Sequence, residues 1–353
     1  MRSGNFSSMR RTLLLTALVC GVGVVSYKMG KAFEFGPSPA RAGSAAAAAP
    51  VAAPVVAVSS PAAAACPLPS PNQAAWNEMT ASLANSAKRF PGEMGIYIKD
   101  FKTGQVWEYK ADQRFPSASL IKVPIMSAVF ERIHNGEIRI DDELILKKGE
   151  KRGGSGRLRH VRYGTRLTIR QLLEKMITES DNTATAMVLD HLGVAYAQKH
   201  FREKIGFRET NISLEGMSLD SDYVPIENYT TPREMCMLFE KIYRGEMIDR
   251  VASDSMMEIL KRTKNRSRFK KGLPPTWELA HKTGMLRRSC HDVGVFFTPQ
   301  GEYVMAIMTS MKAADYHYAA NYISRVARIT YRYYGSLNNS IALSRARERM
   351  KQL

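Results

Sequence analysis

A long stretch without charged residues limits where this chain can fold. Residues 42–77 contain no Asp, Glu, Lys, Arg or His, and Ala, Pro, Val and Ser dominate them. Such a segment has no polar face to set against an apolar one, and its prolines favour extended polyproline II, about 3.1 Å per residue. We therefore expect residues 32–71 to form a tether on the order of 100 Å long and residues 72–335 to form the folded domain.

An apolar run at residues 12–27 follows Arg10 and Arg11 and precedes Lys28. Its length is intermediate between a signal-peptide core and a typical membrane-spanning helix. Basic residues before such a run keep the N-terminus in the cytoplasm. We expect residues 1–31 to be a cytoplasmic N-terminus and an uncleaved signal anchor, with a cleaved signal peptide and secretion as the alternative. Either arrangement places the folded domain outside the cytoplasm.

The chain is strongly basic, since 51 Lys and Arg face 33 Asp and Glu, a formal net charge of +18. This surplus favours anionic partners such as nucleic acid, lipid headgroups or an acidic cell-wall polymer. No recognised nucleic-acid-binding motif accompanies the charge, so we expect no nucleic-acid partner. Two basic clusters, 147–162 and 261–271, are either solvated surface or a rim that attracts anionic cell-wall strands.

Apolar periodicity predicts a helix, a hairpin, a helical block, three strands and a last helix. The predicted helices are 72–89, 119–134, 168–178, 181–192, 231–244, 249–263 and 314–334; the hairpin lies within 94–109, and the strands are 276–283, 292–298 and 303–310. Strands at both ends of a domain can form one antiparallel sheet only if the helical block is an excursion from it. The prediction is an α/β (α+β) fold: an antiparallel sheet flanked by N- and C-terminal helices, an inserted all-helical lobe, and a cleft between them. Residues 336–353 are predicted to be a basic tail.

Cysteine usage adds little. Cys236 and Cys290 lie in the folded part, and sequence alone cannot place them together. We expect two separate buried thiols, with a disulfide between them as the alternative. No cysteine stands at zinc-site spacing, so no metal is expected.

Ser119-Leu-Ile-Lys122 has the form S-x-x-K at the start of a predicted helix, after the turn-like residues 115–118. Residues at i and i+3 share a helix face, which should place the Lys122 amine near the Ser119 hydroxyl. A helix N-terminus favours developing negative charge, and a desolvated lysine can lose its proton and act as a base. The alternative is an ordinary helix start with a surface lysine.

Two further motifs share this double interpretation. Ser180-Asp-Asn182 makes a good helix cap, but its hydroxyl could also pass a proton to a leaving nitrogen and its amide could hold a substrate carbonyl. Lys282-Thr-Gly284 resembles a plain strand end. A lysine beside a hydroxyl could also bind a carboxylate, and glycine lets another backbone come close.

Together the three motifs resemble the signature set of class A β-lactamases and penicillin-binding proteins. Their order and structural settings are those of the family. Other stretches resemble the family too: Gly154–Leu158, Ser180–Thr185, Asn228–Pro232, Ala280–Gly284 and His291–Val295. The resemblance covers about residues 75–335 of the chain.

The resemblance implies a role for each matching residue. Ser119 would be the acylated nucleophile, Lys122 its proton partner and Ser180 the proton shuttle. The implied substrate contacts are Asn182 to the acyl side chain, Lys282 and Thr283 to the carboxylate beside Gly284, and an oxyanion hole from the amides of Ser119 and Met285. The resemblance implies no metal and no organic cofactor.

The resemblance weakens at the residue that frees the acyl-enzyme. Class A enzymes activate a water there with a glutamate that is followed four residues later by an asparagine. Counting back from Thr230-Thr-Pro232, the matching carboxylate is Glu215, but Leu219 stands four residues on, with Asp220 next. The acylation half of the site is therefore complete in sequence, and the deacylation half departs from the family.

Three functions compete at this stage. The first is a β-lactam hydrolase, and the second is a cell-wall D,D-carboxypeptidase or transpeptidase acting on a D-alanine-terminated peptide. The third is a tethered cell-wall or β-lactam-binding module without turnover. Each predicts a monomer in the bacterial cell envelope, held at the membrane by its N-terminal anchor, with a β-lactam or D-Ala peptide as ligand and an anionic cell-wall polymer as a further partner.

Overall fold

The computed structural model describes residues 71–213, 227–312 and 315–351. Its strands are β1 Glu93–Asp100, β2 Val106–Tyr109, β3 Phe115–Pro116, β4 Glu143–Ile145, β5 Arg166–Thr168, β6 Tyr229–Thr230, β7 Glu278–Met285, β8 Ser289–Phe297 and β9 Tyr303–Ser310. The main sheet has the order β2-β1-β9-β8-β7, and every neighbouring pair is antiparallel. The predicted sheet is therefore confirmed, with strands from both ends of the domain as neighbours.

The described helices flank this sheet. They are α1 Pro71–Arg89, α2 Lys122–His134, α3 Ile169–Thr178, α4 Asn182–Leu192, α5 Val194–His200, α6 Pro232–Arg244, α7 Arg250–Lys261, α8 Phe269–Gly272 and α9 Tyr316–Lys351. All but α1 and α9 lie between β2 and β7 in the chain, which is the predicted helical excursion. Within the described ranges, no helix is long and apolar enough to cross a membrane.

Alternation along the strands divides the core into two layers. On β9, Val304, Ala306 and Met308 face the helical lobe, whereas Met305 and Ile307 face a second layer with α1 and α9. All five are fully buried, as expected for a sheet covered on both faces. One face of the sheet therefore packs against the helical lobe, and β7 is the strand at one edge of the sheet.

Several element ends differ from the sequence prediction. β7 continues past 283 to Met285, and β8 begins at Ser289 rather than 292, because the connecting turn is confined to residues 286–288. The last helix runs to Lys351 instead of ending at 334. Cys236 and Cys290 are both buried free thiols, so the prediction of two separate thiols is confirmed. The predicted anchor and nearly all of the predicted tether lie outside the described residues.

Candidate active site

A strained turn presents Ser119. The 3₁₀ turn Ala118–Ile121 leads directly into α2, and Ala118 has φ +47°, a left-handed conformation that costs free energy for any residue but glycine. The buried Ser117 fixes the entry, because its N–H donates to the Asn228 carbonyl at 2.6 Å. Ser119 is half-buried and lies in this turn, three residues before α2 begins at Lys122.

His291 supports the same turn from the sheet. Its Nε2–H donates to the Pro116 carbonyl at 2.8 Å, while Nδ1 accepts from the Thr309 N–H at 3.2 Å. This pattern requires the neutral ring, and burial lowers the pKa of His291 to about 4. His291 is therefore uncharged at neutral pH, and it supports the turn through these two hydrogen bonds. Nothing in the sequence around it predicted this role.

Lys122 is buried at the first position of α2, with its ammonium group surrounded by acceptors. Its Nζ lies 2.7 Å from the Ser180 carbonyl, 3.2 Å from Ser180 Oγ and 2.7 Å from Asn182 Oδ1. Among the described residues it makes no hydrogen bond to Ser119, the neighbour that helical spacing predicts. Burial first, and then the charge of Lys282, holds the pKa of Lys122 well below its usual value.

The Ser180-Asp-Asn182 motif forms the helix cap that its sequence predicts, and it contacts the two buried lysines. Asp181 caps α4, since its carboxylate accepts from the Ala184 N–H at 2.9 Å and from the Leu158 N–H at 2.9 Å. Ser180 has φ +56°, another strained position, and its Oγ also accepts from Lys282 Nζ at 3.0 Å. Because Asp181 makes the cap, the side chains of Ser180 and Asn182 remain available to the buried lysines. Ser180 Oγ contacts both Lys122 and Lys282, and Asn182 Oδ1 contacts Lys122.

The loop that resembles the family at Gly154–Leu158 is fixed to this motif. The Asn182 N–H donates to the Ser155 carbonyl at 3.0 Å, and its side-chain amide donates to the Gly153 carbonyl at 2.9 Å. Gly156 has φ +98°, and a Cβ atom there would overlap Cγ and Oδ2 of Asp181. Gly156 is thus required for conformation and for space.

We expect Gly156→Ala to unfold more easily than Gly164→Ala by about 2 kcal/mol, since it would displace the Asp181 cap and its buried hydrogen bonds. Gly164 is the matched control, because its φ of +82° carries similar strain but a Cβ atom there would meet nothing within 4 Å. Urea unfolding of both variants measures the difference. Equal losses would show that Asp181 can move at no cost.

β7 forms the wall opposite Ser180. Lys282 is buried, and burial together with the charge of Arg268 lowers its pKa to about 7. A Cβ atom on Gly284 would lie 3.2 Å from Ala118 Cβ and 3.2 Å from Leu120 Cγ, so glycine lets the strand approach the turn before Ser119. These close neighbours are side-chain atoms, so what the structure shows at Gly284 is tight packing of β7 against the side chains of the turn.

The motifs converge on one cleft of about 280 Å³. Its lining includes Ser119, Ser155, Ser180, Lys282, Thr283 and Met285. The structure therefore brings Ser119, Ser180 and the Lys282-Thr-Gly284 end of β7 together, and Asn182 is hydrogen-bonded to Lys122. Glu215, Leu219 and Asp220 lie outside the described residues.

Arg268 lines the cleft, although in the sequence it belongs to the basic cluster 261–271. It is only 2% exposed, its Nε donates to Cys290 Sγ at 3.0 Å, and it lines the cleft beside Lys282. Its Nη1 is buried without a hydrogen-bond partner among the described residues. A buried guanidinium with a spare donor suits an anionic substrate group. The only sequence signal is the apolar Phe269 beside it.

Comparisons with known proteins agree with this geometry. The sequence model of the "Beta-lactamase enzyme family" matches residues 78–334. Beta-lactamase VEB-1 of Pseudomonas aeruginosa is 24% identical over 276 residues, which cover 74% of this chain and 92% of that protein. A β-lactamase of Streptomyces albus G is 29% identical over 248 residues, which cover 66% of this chain and 77% of that protein.

Solved structures of β-lactamases and of PBP-A also resemble this chain. PBP-A has a TM-score of 0.68 at 29% identity, covering 73% of this chain and 96% of that chain. A β-lactamase of Sphaerobacter thermophilus has a TM-score of 0.67 at 28% identity, covering 74% and 98%. A mutant PBP-A, solved as an acyl-enzyme complex with penicillin G, has a TM-score of 0.67 at 27% identity, covering 74% and 97%.

Proposed function

This chain belongs to the β-lactamase enzyme family, and we propose that it is a serine hydrolase that forms an acyl-enzyme at Ser119 and opens β-lactam rings. The observation that carries the proposal is the position of Ser180 Oγ, 3.2 Å from Lys122 Nζ and 3.0 Å from Lys282 Nζ, on the cleft that Ser119 lines. A hydroxyl between two buried lysines is suited to pass a proton across the cleft.

In the proposed acylation, Ser119 Oγ attacks the lactam carbonyl and its proton passes to the neutral amine of Lys122. The contact from Lys122 to Ser180 Oγ then provides a route for that proton to the leaving nitrogen as the C–N bond breaks. The amides of Ser119 and Met285 stabilise the oxyanion. Two strained residues hold these groups in place before the substrate arrives.

Substrate capture is assigned to the β7 side of the cleft. Lys282 and Thr283 bind the substrate carboxylate, and the spare Nη1 of Arg268 contributes a second positive charge. Asn182, which is fixed by Lys122 and the Gly153 carbonyl, presents its amide to the acyl side chain.

A D,D-carboxypeptidase or transpeptidase acting on a D-alanine-terminated peptide is the second proposal. It is supported by the structural similarity to PBP-A, which is as close as that to the β-lactamases. The same acylation apparatus serves both reactions. The rate at which water frees the acyl-enzyme separates them.

We expect intact-mass spectrometry during incubation with benzylpenicillin to show an adduct that accumulates and is released slowly. Leu219 replaces the amide partner that the family pairs with its deacylating glutamate, and loss of one positioning contact can cost on the order of 10²-fold. The kinetic trace should be a burst and then a low steady rate. The absence of both an adduct and penicillin hydrolysis would refute the proposed function.

Glu215→Gln should lower the steady rate further while leaving the burst intact, and Asp220→Asn tests the other carboxylate as the base. If the steady rate of Glu215→Gln equals that of the parent, Glu215 is not the base, and Asp220 or a water without a catalytic base is the next candidate. Rapid turnover without an accumulated adduct would contradict slow deacylation.

We also propose that residues 1–31 anchor the chain in the membrane, with the hydrolase domain periplasmic or extracytoplasmic. The proposal rests on the apolar run 12–27 and its basic flanks. A reporter fused after Leu353 should be active only outside the cytoplasm. Release of the chain into the medium would favour the cleaved signal peptide instead.

A further inference from the structure

The segment 148–162, whose Ser155 lines the Ser119 cleft, carries a concentration of positive charge. We define the cationic rim as five residues: Lys148, Lys151, Arg152, Arg159 and Arg162. All are exposed except the half-buried Lys151, and none forms an ion pair with a described carboxylate. The cations at either end of the segment differ, because Lys147 pairs with Asp190 and Arg166 pairs with Glu143.

The single acid within this segment does not neutralise it. Glu150 is 8% exposed, and its carboxylate accepts from the Lys147 N–H. Arg152 Nη1 donates to the Gly149 and Lys151 carbonyls, and Arg159 donates through Nη1 to the Gly154 carbonyl and through Nε to His160 Nε2. None of these acceptors is a carboxylate, so these hydrogen bonds leave both positive charges unneutralised. The rim therefore presents like charges to solvent, an arrangement that an anionic partner would stabilise.

The rim is also held rigidly beside the cleft. The Arg152 N–H donates to Thr183 Oγ1 at 3.1 Å, and the Ser155 carbonyl accepts from the Asn182 N–H at 3.0 Å. Ser155 itself lines the cleft. A polymer that lies along the rim would thus pass the mouth of the acylation site.

An exposed aromatic ring indicates which kind of polymer fits. Tyr163 is 52% exposed, and Lys151 Nζ lies 4.0 Å from its ring centroid. The C–H face of a pyranose packs on such rings, and the neighbouring cations match carboxylates carried on the sugars or on their peptide branches. A glycan bearing carboxylates satisfies both features.

We propose that the cationic rim is a docking surface for the carboxylate-bearing glycan of the cell wall, holding that polymer beside the Ser119 cleft. The inference rests on the proposed function, because docking matters only if the cleft beside the rim carries out acylation. Acylation chemistry alone requires neither this surface nor a polymeric partner.

The test is co-sedimentation of the full-length chain, in mild detergent, with sacculi stripped of protein and of phosphate polymers. The rim variant is Lys148→Gln/Lys151→Gln/Arg162→Gln, whose side chains make no described hydrogen bond. The control, Lys102→Gln/Arg202→Gln/Arg328→Gln, removes the same charge from exposed positions elsewhere. We expect the rim variant alone to bind about tenfold more weakly than the parent, or weaker still, and this difference should fade at high salt.

Equal losses in both variants, or no loss in the rim variant, would overturn the inference. Binding only to walls that retain phosphate polymers would overturn the choice of a carboxylate glycan. Labelling of Ser119 by penicillin is measured in parallel and should be unchanged in both variants. If the parent is neither labelled nor able to hydrolyse penicillin, the proposed function fails, whereas sedimentation still decides the docking surface.

Discussion

Ser119→Ala will abolish acylation by penicillin, lowering it by at least about 10⁴-fold, while Ser155→Ala will leave labelling intact. Both hydroxyls line the same cleft. Only Ser119 lies in the turn that leads into α2, after the strained Ala118 and beside β7, where backbone amides can stabilise an oxyanion. Exposure alone would favour Ser155, which is the more accessible serine.

The measurement is peptide mapping after incubation with benzylpenicillin, with stopped-flow acylation rates for each variant. An adduct on the peptide that contains Ser119, absent from Ser119→Ala, is the expected result. Labelling that persists in Ser119→Ala would remove this residue as nucleophile. Thermal unfolding of the variants shows whether any loss comes from misfolding.

Local patterns were sufficient for the long elements. β9 occupies 303–310 as predicted, because its apolar residues fill both faces and a turn at Pro299-Gln-Gly301 precedes it. Strands of two or three residues, such as β3 and β6, were not predicted. Their pairing joins residues more than a hundred positions apart, and no local pattern encodes it.

The site was predicted to the level of which motifs converge, but not to the level of hydrogen bonds. Helical spacing placed Lys122 beside Ser119, whereas its described bonds go to Ser180 and Asn182. The φ of +56° at Ser180 turns its carbonyl and hydroxyl toward the lysine, and such a conformation cannot be inferred from residue type. The burial of Arg268 could not be predicted from the sequence either, because tertiary packing decides it.

Lys122→Met will lower the rate constant for acylation by about 10²- to 10⁴-fold, the usual contribution of a general base. Burial and the charge of Lys282 hold the pKa of Lys122 well below its usual value, so a neutral amine is accessible far below pH 10.5. Methionine keeps the length and apolar volume of the side chain but cannot accept a proton.

The pH dependence separates the two lysines. Acylation by the parent should rise with pH as Lys122 loses its proton. It should fall as pH increases through about 7, because Lys282 then loses the charge that binds the substrate carboxylate. Lys282→Arg keeps its charge above pH 7, so the falling limb should move to higher pH while the rising limb stays.

In Lys122→Met the rising limb should disappear and the falling limb should remain. This pattern would assign the base to Lys122 even if the loss in rate were small, since a general packing defect would lower the rate equally at every pH. If Lys122→Met keeps the parent's rising limb, the proton of Ser119 goes to another group. The contact of Ser180 Oγ with Lys282 Nζ at 3.0 Å makes that pair the next one to test.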